Sequence, residues 1–111
     1  MLAAERRMLI LDKLQEEKSV VVSELSSIFQ VSEETIRRDL EKLEKDGFAI
    51  NAEDSYGASE ENPKKLEVID FLEAGSFTDK RVELGKTVEI STGAPIPDGA
   101  NAVVMVEFTN R

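Results

Sequence analysis

The side chains best suited to binding chemistry lie on one predicted helix, over residues 32–45. Cations on its outward face can reach the phosphates and base edges of a nucleic acid, and its N-terminus can meet a backbone phosphate. The candidate binding residues at this helix are Ser32, Thr35, Arg37, Arg38 and Lys42. The helix also holds four basic and five acidic residues, so charge alone favours a solvated surface with i, i+4 ion pairs such as Arg38 with Glu34.

The composition excludes many other kinds of site. The 111 residues include no His and no Cys, which rules out Cys/His zinc centres, disulfides, Ser-His-Asp or Cys-His catalysis and imidazole switches. Carboxylates remain able to hold a hard cation, and the possible catalysts are carboxylates, Lys, Ser, Thr and Tyr56. We therefore expect no enzyme activity and no cofactor.

The charge and hydropathy of the chain bear on its partners. With 14 Lys and Arg against 23 Asp and Glu, the net charge is −9, which repels nucleic acid at long range. The balance is −3 over residues 1–50 and −6 over residues 51–111. No apolar run approaches the roughly 20 residues of a membrane span, and no signal-peptide pattern opens the chain. These features predict a cytoplasmic protein with no membrane partner.

The hydrophobic period changes near the middle of the chain. Residues 1–50 have helical periodicity, with Gly47 as the only glycine and no proline, whereas residues 51–111 hold five glycines, all three prolines and short β-branched runs. The pattern predicts an α+β protein, in which a three-helix helix-turn-helix head precedes a small β-sheet or partial barrel. The predicted domains are residues 1–48 and residues 49–111, which can pack together as one unit.

Three helices and a short strand are predicted in the first half. The first helix covers residues 3–17, and its apolar positions are Met8, Ile10, Leu11 and Leu14. The β-branched run at residues 20–22 predicts a short strand. The second helix is predicted to start after an N-cap at Ser23, with an apolar face of Leu25, Ile28 and Phe29.

The third helix has the clearest start and stop signals. Ser32 is its predicted N-cap, and Gly47 is its predicted C-terminal stop. Its buried stripe is predicted to be Ile36, Leu40 and Leu43.

The second half has strand and turn signals. Strands are predicted within residues 64–72, 87–90 and 102–108, and unpaired strand edges offer a route to a homodimer. The Gly- and Pro-containing segment at residues 91–101 matches neither Gly-rich phosphate-binding motif and precedes a strand, so a structural turn is favoured over a phosphate cradle.

Residues 6–48 resemble the DNA-binding head of DeoR-type transcriptional repressors. The motif has an Arg and two aliphatic residues at four-residue steps (Arg6, Ile10, Leu14) and then the string SEETIRRDL at residues 32–40. The resemblance implies that Thr35, Arg37 and Arg38 face DNA and that Asp39 pairs with Arg6. The position of the family's basic wing, residues 46–57, carries no basic residue here, so we expect weak binding of double-stranded DNA.

Residues 46–109 resemble the β-rich second domain of MoeA-type molybdopterin molybdotransferases. The strings DGFAI at residues 46–50 and TGAPIPDGANAVV at residues 92–104 carry the likeness, with Asn101 where the family usually has Asp. The resemblance places Asp46 and Thr92 at the border of the family's active cleft. The α/β domain that completes that cleft has no counterpart in the sequence, so the resemblance does not imply transferase activity.

The two resemblances overlap at residues 45–49, which predicts a recombined or engineered chimera. Three functions remain open. The first is a DNA-binding helix-turn-helix module, and the second is a structural chimera with neither DNA-binding nor molybdenum-cofactor activity. The third, an enzyme or pterin-handling fragment, is the least favoured because the phosphate-binding domain is absent and only carboxylates, Lys, Ser, Thr and Tyr56 remain as possible catalysts.

Overall fold

The computed structural model describes residues 1–43, 47–54 and 65–105. The helices are α1 (Ala3–Glu17), α2 (Val22–Phe29) and α3 (Glu33–Lys42). The strands are β1 (Ser19–Val21), β2 (Gly47–Ile50), β3 (Glu67–Leu72), β4 (Lys86–Ile90) and β5 (Ala102–Met105), and a 3-10 turn at Ala52–Asp54 follows β2. The predicted α+β class, with three helices before a small sheet, is confirmed.

The five strands form one mixed sheet in the order β1-β5-β2-β4-β3. β1 pairs antiparallel with β5, so a strand from between the first two helices joins the strands of the second half. β2 pairs antiparallel with both β5 and β4, and β3 runs parallel to β4 along the far edge. Successive side chains of a strand point to opposite faces of the sheet, and the sheet therefore has two distinct apolar faces.

The larger apolar cluster joins the helices to one face of the sheet. The predicted stripe of Ile36, Leu40 and Leu43 is confirmed, with each side chain no more than 5% exposed. The remaining buried members of this cluster are Ile10, Leu14, Val20, Val22, Leu25, Ala49, Leu72, Val82, Val88, Ile90, Ala94, Ala100, Val103 and Met105. Phe48, Ile50, Ala52 and Ala102 form a smaller cluster on the opposite face.

Two apolar residues of the predicted helix faces are exposed instead of buried. Met8 is 68% exposed, because α1 turns Ile10 and Leu14 inward and a residue two positions from Ile10 lies on the opposite side of the helix. Ile28 is 56% exposed, because α2 buries Val22 and Leu25 and leaves Ile28 at the solvent edge of that stripe.

The prediction that Ser23 caps α2 is wrong. The helix begins at Val22, and its N-cap residue Val21 makes no side-chain cap hydrogen bond. The Val22 amide instead donates to the Asn101 carbonyl oxygen at 2.8 Å. An acceptor just before β5 therefore satisfies a first-turn amide that a local side chain would otherwise cap.

The prediction that Gly47 stops α3 is also wrong. α3 ends at Lys42 with Leu43 as its C-cap, and Gly47 is the first residue of β2. A Cβ at Gly47 would collide with the Val104 carbonyl oxygen of β5, so glycine serves the close approach of two strands. Residues 44 and 45 of the predicted helix lie outside the described residues.

The strand predictions hold wherever the structure describes them. β3 and β4 contain most of residues 64–72 and all of residues 87–90, and β5 covers the start of the predicted strand at 102–108. Residues 64 and 106–108 lie outside the described part of the chain. Residues 91–101 form neither helix nor strand, in agreement with the structural turn. The described helices include none with the length and apolar character of a membrane span.

Candidate nucleic-acid interface

Ser32 fixes the start of α3. It has extended backbone angles, and its Oγ accepts a hydrogen bond from the Thr35 amide at 3.1 Å, which confirms the predicted N-cap. The Thr35 hydroxyl lies 2.9 Å from the same oxygen. Glu33 and Glu34 occupy the first turn, where the helix dipole favours negative charge. Both hydroxyl groups are therefore held at the N-terminal end of the helix.

A buried ion cluster fixes α3 against α1. Asp39 is 1% exposed and accepts from Arg6 Nε at 2.5 Å, from Arg6 Nη2 at 3.0 Å and from Arg7 Nε at 3.0 Å. The predicted pairing of Asp39 with Arg6 is confirmed, and Arg7 is a second partner that the sequence analysis missed. The adjacent cations Arg6 and Arg7 were the available signal, because successive residues of a helix are only about 100° apart around its axis.

The cluster keeps Asp39 ionised. Burial raises the pKa of its carboxyl group, but the hydrogen bonds and charges of Arg6 and Arg7 outweigh burial and hold that pKa below its ordinary value. The same contact with Asp39 raises the pKa of Arg6. Hydrogen bonds from two arginines to a charged carboxylate are directional, so they fix the rotation of α3 about its own axis.

Arg38 and Lys42 are the exposed cations of α3. The Arg38 side chain is 69% exposed, and its Nη2 lies 2.8 Å from Oε1 of Glu34, which is 73% exposed. Such exposed pairs contribute only a few tenths of a kcal/mol, so Glu34 is a weak competitor for Arg38. Lys42 is exposed as well, and no carboxylate of the described residues lies within ion-pair distance of it.

Arg37 faces a different neighbour. It is half-buried, and its Nη2 donates to the Ala100 carbonyl oxygen at 2.6 Å. A guanidinium group has five N–H donors, so this contact leaves others available. The structure therefore gathers Ser32, Thr35, Arg38 and Lys42 on one helix surface, with Arg37 turned toward the loop before β5.

The loop before β5 is hydrogen-bonded to both helices of the helix-turn-helix unit. The Ala100 carbonyl oxygen accepts from Arg37 of α3, and the Asn101 carbonyl oxygen accepts from the Val22 amide of α2. The backbone N–H of Asn101 donates to the Ile50 carbonyl oxygen at 3.0 Å, and its side-chain Oδ1 accepts from the backbone N–H of Ala52 at 2.6 Å. No local sequence signal predicts these contacts, because their partners are distant in the chain.

Comparison with known proteins gives two matches that meet at the end of α3. The model of the MoeA N-terminal region (domain I and II) matches residues 41–111, more than half of the chain. The chain belongs to this MoeA family. The model of the DeoR-like helix-turn-helix domain matches residues 6–56, which include all of α2 and α3 and most of α1. Both matches cover residues 41–56 and therefore all of β2.

The relatives of the MoeA part are long proteins. A molybdopterin molybdenumtransferase of Staphylococcus epidermidis is 55% identical over 64 residues, and one of Bacillus subtilis is 52% identical over 64 residues. Each alignment covers 58% of this chain and 15% of the relative. The molybdopterin biosynthesis moeA protein of Pyrococcus horikoshii OT3 has a crystal structure that is similar with a TM-score of 0.57 and 46% identity, over 60% of this chain and 18% of that protein.

The MoeA part shows little chemistry of its own in the described residues. Thr92 is exposed just after β4, and Asp46, the other predicted cleft position, lies outside the described residues. Among the residues that the structure describes, no three acidic side chains converge in a way that could hold a metal ion. The clearest candidate site is therefore the exposed surface of α3, within the DeoR-like match.

Proposed function

We propose that the chain is a DNA-binding helix-turn-helix module of transcription-regulator ancestry that places α3 in the major groove of double-stranded DNA. The observation that carries the proposal is the orientation of α3, whose Asp39 is locked to Arg6 and Arg7 while Arg38 and Lys42 point to solvent. The DeoR-like match over residues 6–56 supports it. A DNA-binding role is consistent with a cytoplasmic location, which is the one that we propose.

The five predicted residues have different proposed roles. Arg38 and Lys42 bind base edges or phosphates, and Thr35 and Ser32 approach a phosphate at the helix N-terminus. Arg37 contacts the DNA through the guanidinium N–H donors that are not bonded to the Ala100 carbonyl oxygen. The net charge of −9 opposes all of these contacts at long range, so the affinity is weak and depends on salt. If about three phosphates are neutralised, the affinity falls about 40-fold between 50 and 200 mM salt.

Replacing Arg38 with alanine is expected to weaken DNA binding about tenfold and to reduce the salt slope by about one, because one charged contact is lost. Fluorescence anisotropy with a labelled duplex at both salt concentrations measures this. Lys13→Ala is the matched control, because Lys13 also belongs to an i, i+4 ion pair and its loss changes the net charge by the same amount. Equal losses in the two variants would show that only overall charge matters and would contradict the proposed site.

Replacing Glu34 with glutamine is expected to strengthen DNA binding about threefold, because the change removes an acid from the surface and frees Arg38 from its partner. The same titration measures the gain. Glu17→Gln, which frees Lys13 in the same way, supplies the control for a general effect of charge. Unchanged binding in Glu34→Gln would mean that Arg38 does not contact the duplex.

We also propose that the chain is a chimera that joins its two family segments within residues 41–56 and has no transferase activity. The overlap of the two matches supports this origin, as does the larger apolar cluster, which contains side chains from both segments. Calorimetric titration with molybdate or a pterin is expected to show no binding. Tight binding of either would contradict this proposal.

The alternative is a structural chimera without DNA binding, which the acidity of the chain favours. The absence of saturable DNA binding at 50 mM salt would leave this alternative. A homodimer through strand edges also remains a prediction, and among the described strands β1 lies at one edge of the sheet. Sedimentation velocity measures the oligomeric state directly.

A further inference from the structure

The outer edge of β3 is the longer of the two sheet edges and carries exposed apolar side chains. β3 has six residues, against three in β1. Its ladder with β4 shifts register between Val68 and Asp70, so Val68 and Phe71 pair with Thr87 and Glu89 and share one face. Val68 is 53% exposed and Phe71 is 46% exposed. Exposed apolar edges of this kind readily pair with another strand.

Two backbone groups at this edge are already hydrogen-bonded to side chains. The Phe71 amide donates to Asp70 Oδ1 at 2.8 Å, and Lys80 Nζ donates to the Ile69 carbonyl oxygen at 2.8 Å. An added strand would have to displace these side chains to use the same groups. The register shift beside Ile69 adds a second obstacle, because a bulge disturbs the regular spacing of a ladder.

Thr78 supports the second blocking side chain. Its Oγ1 accepts the backbone amide of Lys80 at 3.1 Å, which fixes the loop that carries Lys80. The Thr78 hydroxyl, then the Phe71 amide, and finally the charge of Lys80 hold the pKa of Asp70 below its ordinary value, although desolvation opposes them. Asp70 and Lys80 therefore bind the backbone of the strand, and Thr78 positions Lys80 in the following loop; we call these three residues the edge guard.

We propose that the edge guard keeps β3 from pairing with β3 of a second copy of this chain. A second copy is the relevant partner, because two identical edges can pair antiparallel about a twofold axis without any other surface being complementary. Charge repulsion alone does not protect this edge, because the basic residues Lys80, Arg81 and Lys86 lie around it together with the acidic residues Glu67 and Glu83. The guard acts on the backbone itself, which is where strand pairing begins.

The test compares the unmodified chain with the Asp70→Ala/Lys80→Ala variant by sedimentation velocity at about 100 µM, where weak association is detectable. We expect the association constant of the variant to rise at least about tenfold. Adding Val68→Lys to the variant is expected to restore the monomer, because a charge on an edge strand opposes pairing. Circular dichroism verifies folding, and Lys80→Met, which keeps the aliphatic stem, serves if the double variant does not fold.

Cross-linking identifies the edge that pairs. Because the chain has no cysteine, Val68→Cys introduces a unique thiol on β3. Oxidation is expected to give a disulfide-linked dimer in the guard variant and not in the unmodified background, with Glu16→Cys on α1 as the control position. A folded guard variant that stays monomeric would overturn the proposal, and so would equal cross-linking at Val68→Cys with and without the guard.

Discussion

Replacing Asp39 with alanine is expected to lower the free energy of unfolding by about 3–4 kcal/mol. The carboxylate is 1% exposed and is the partner of both Arg6 and Arg7, so its loss leaves two cations beside the core with no counter-charge. Small domains are stable by about 5–15 kcal/mol, and the variant would therefore lose a large share of its stability. Urea denaturation followed by circular dichroism measures the change.

The matched control for this variant is Asp12→Ala. Asp12 is a helical aspartate as well, in α1, but it is exposed and takes part in none of the ion pairs among the described residues. Its replacement is expected to change the stability by no more than about 0.5 kcal/mol. A similar loss in both variants would show that the Asp39 cluster has no special role.

The effect of Asp39 should depend on pH in one direction. Because the folded state lowers the pKa of this carboxyl group, its contribution to stability is present above the unfolded pKa of about 3.9 and is lost as the pH falls through the folded value. The stability difference between the unmodified chain and Asp39→Ala is therefore largest near neutral pH and smaller in acid. A constant difference between pH 7 and pH 3 would contradict the ion-pair assignment.

Replacing Gly99 with alanine is expected to cost about 3 kcal/mol or more. Gly99 has φ +84°, and a Cβ there would collide with the Val82 carbonyl oxygen and lie 2.8 Å from Arg81 Cγ. Backbone cannot move aside cheaply here, because the Val82 amide donates to the Asp98 carbonyl oxygen and the Val82 side chain is buried. The strain of a positive φ therefore adds to a steric collision.

Gly75→Ala separates the two contributions. Gly75 has φ +79°, but a Cβ there would meet nothing within 4 Å. We expect this variant to lose only the conformational part, about 1 kcal/mol. Thermal or urea denaturation of both variants measures the difference, and equal losses would show that close packing at Gly99 is unimportant.

The sequence predicted those parts of the fold that depend on local pattern. The Ser32 cap, the stripe of Ile36, Leu40 and Leu43, and the short strand before α2 each depend on residues a few positions apart. The same holds at the candidate site, where helical period predicts the exposure of Arg38. Local propensity and period were sufficient for these features.

The remaining features depend on partners that are distant in the chain. Val22 starts α2 because Asn101 supplies an acceptor, and Gly47 belongs to a strand because β5 passes close to it. The direction of Arg37 depends on Ala100 in the same way. Pattern analysis of one segment does not reveal which distant backbone group will lie beside it, and so these predictions failed or were not made.

The pairing of β1 with β5 also fixes the order in which the molecule can become stable. Ser19 pairs with Val104 and Val21 with Ala102, so synthesis must pass residue 104 before the whole of β1 has a partner. Until then the helices have no sheet to cover Ile10, Leu25 and Ile36, which are fully buried in the finished protein. Such long sequence separation slows folding and leaves apolar surface exposed to chaperones during synthesis.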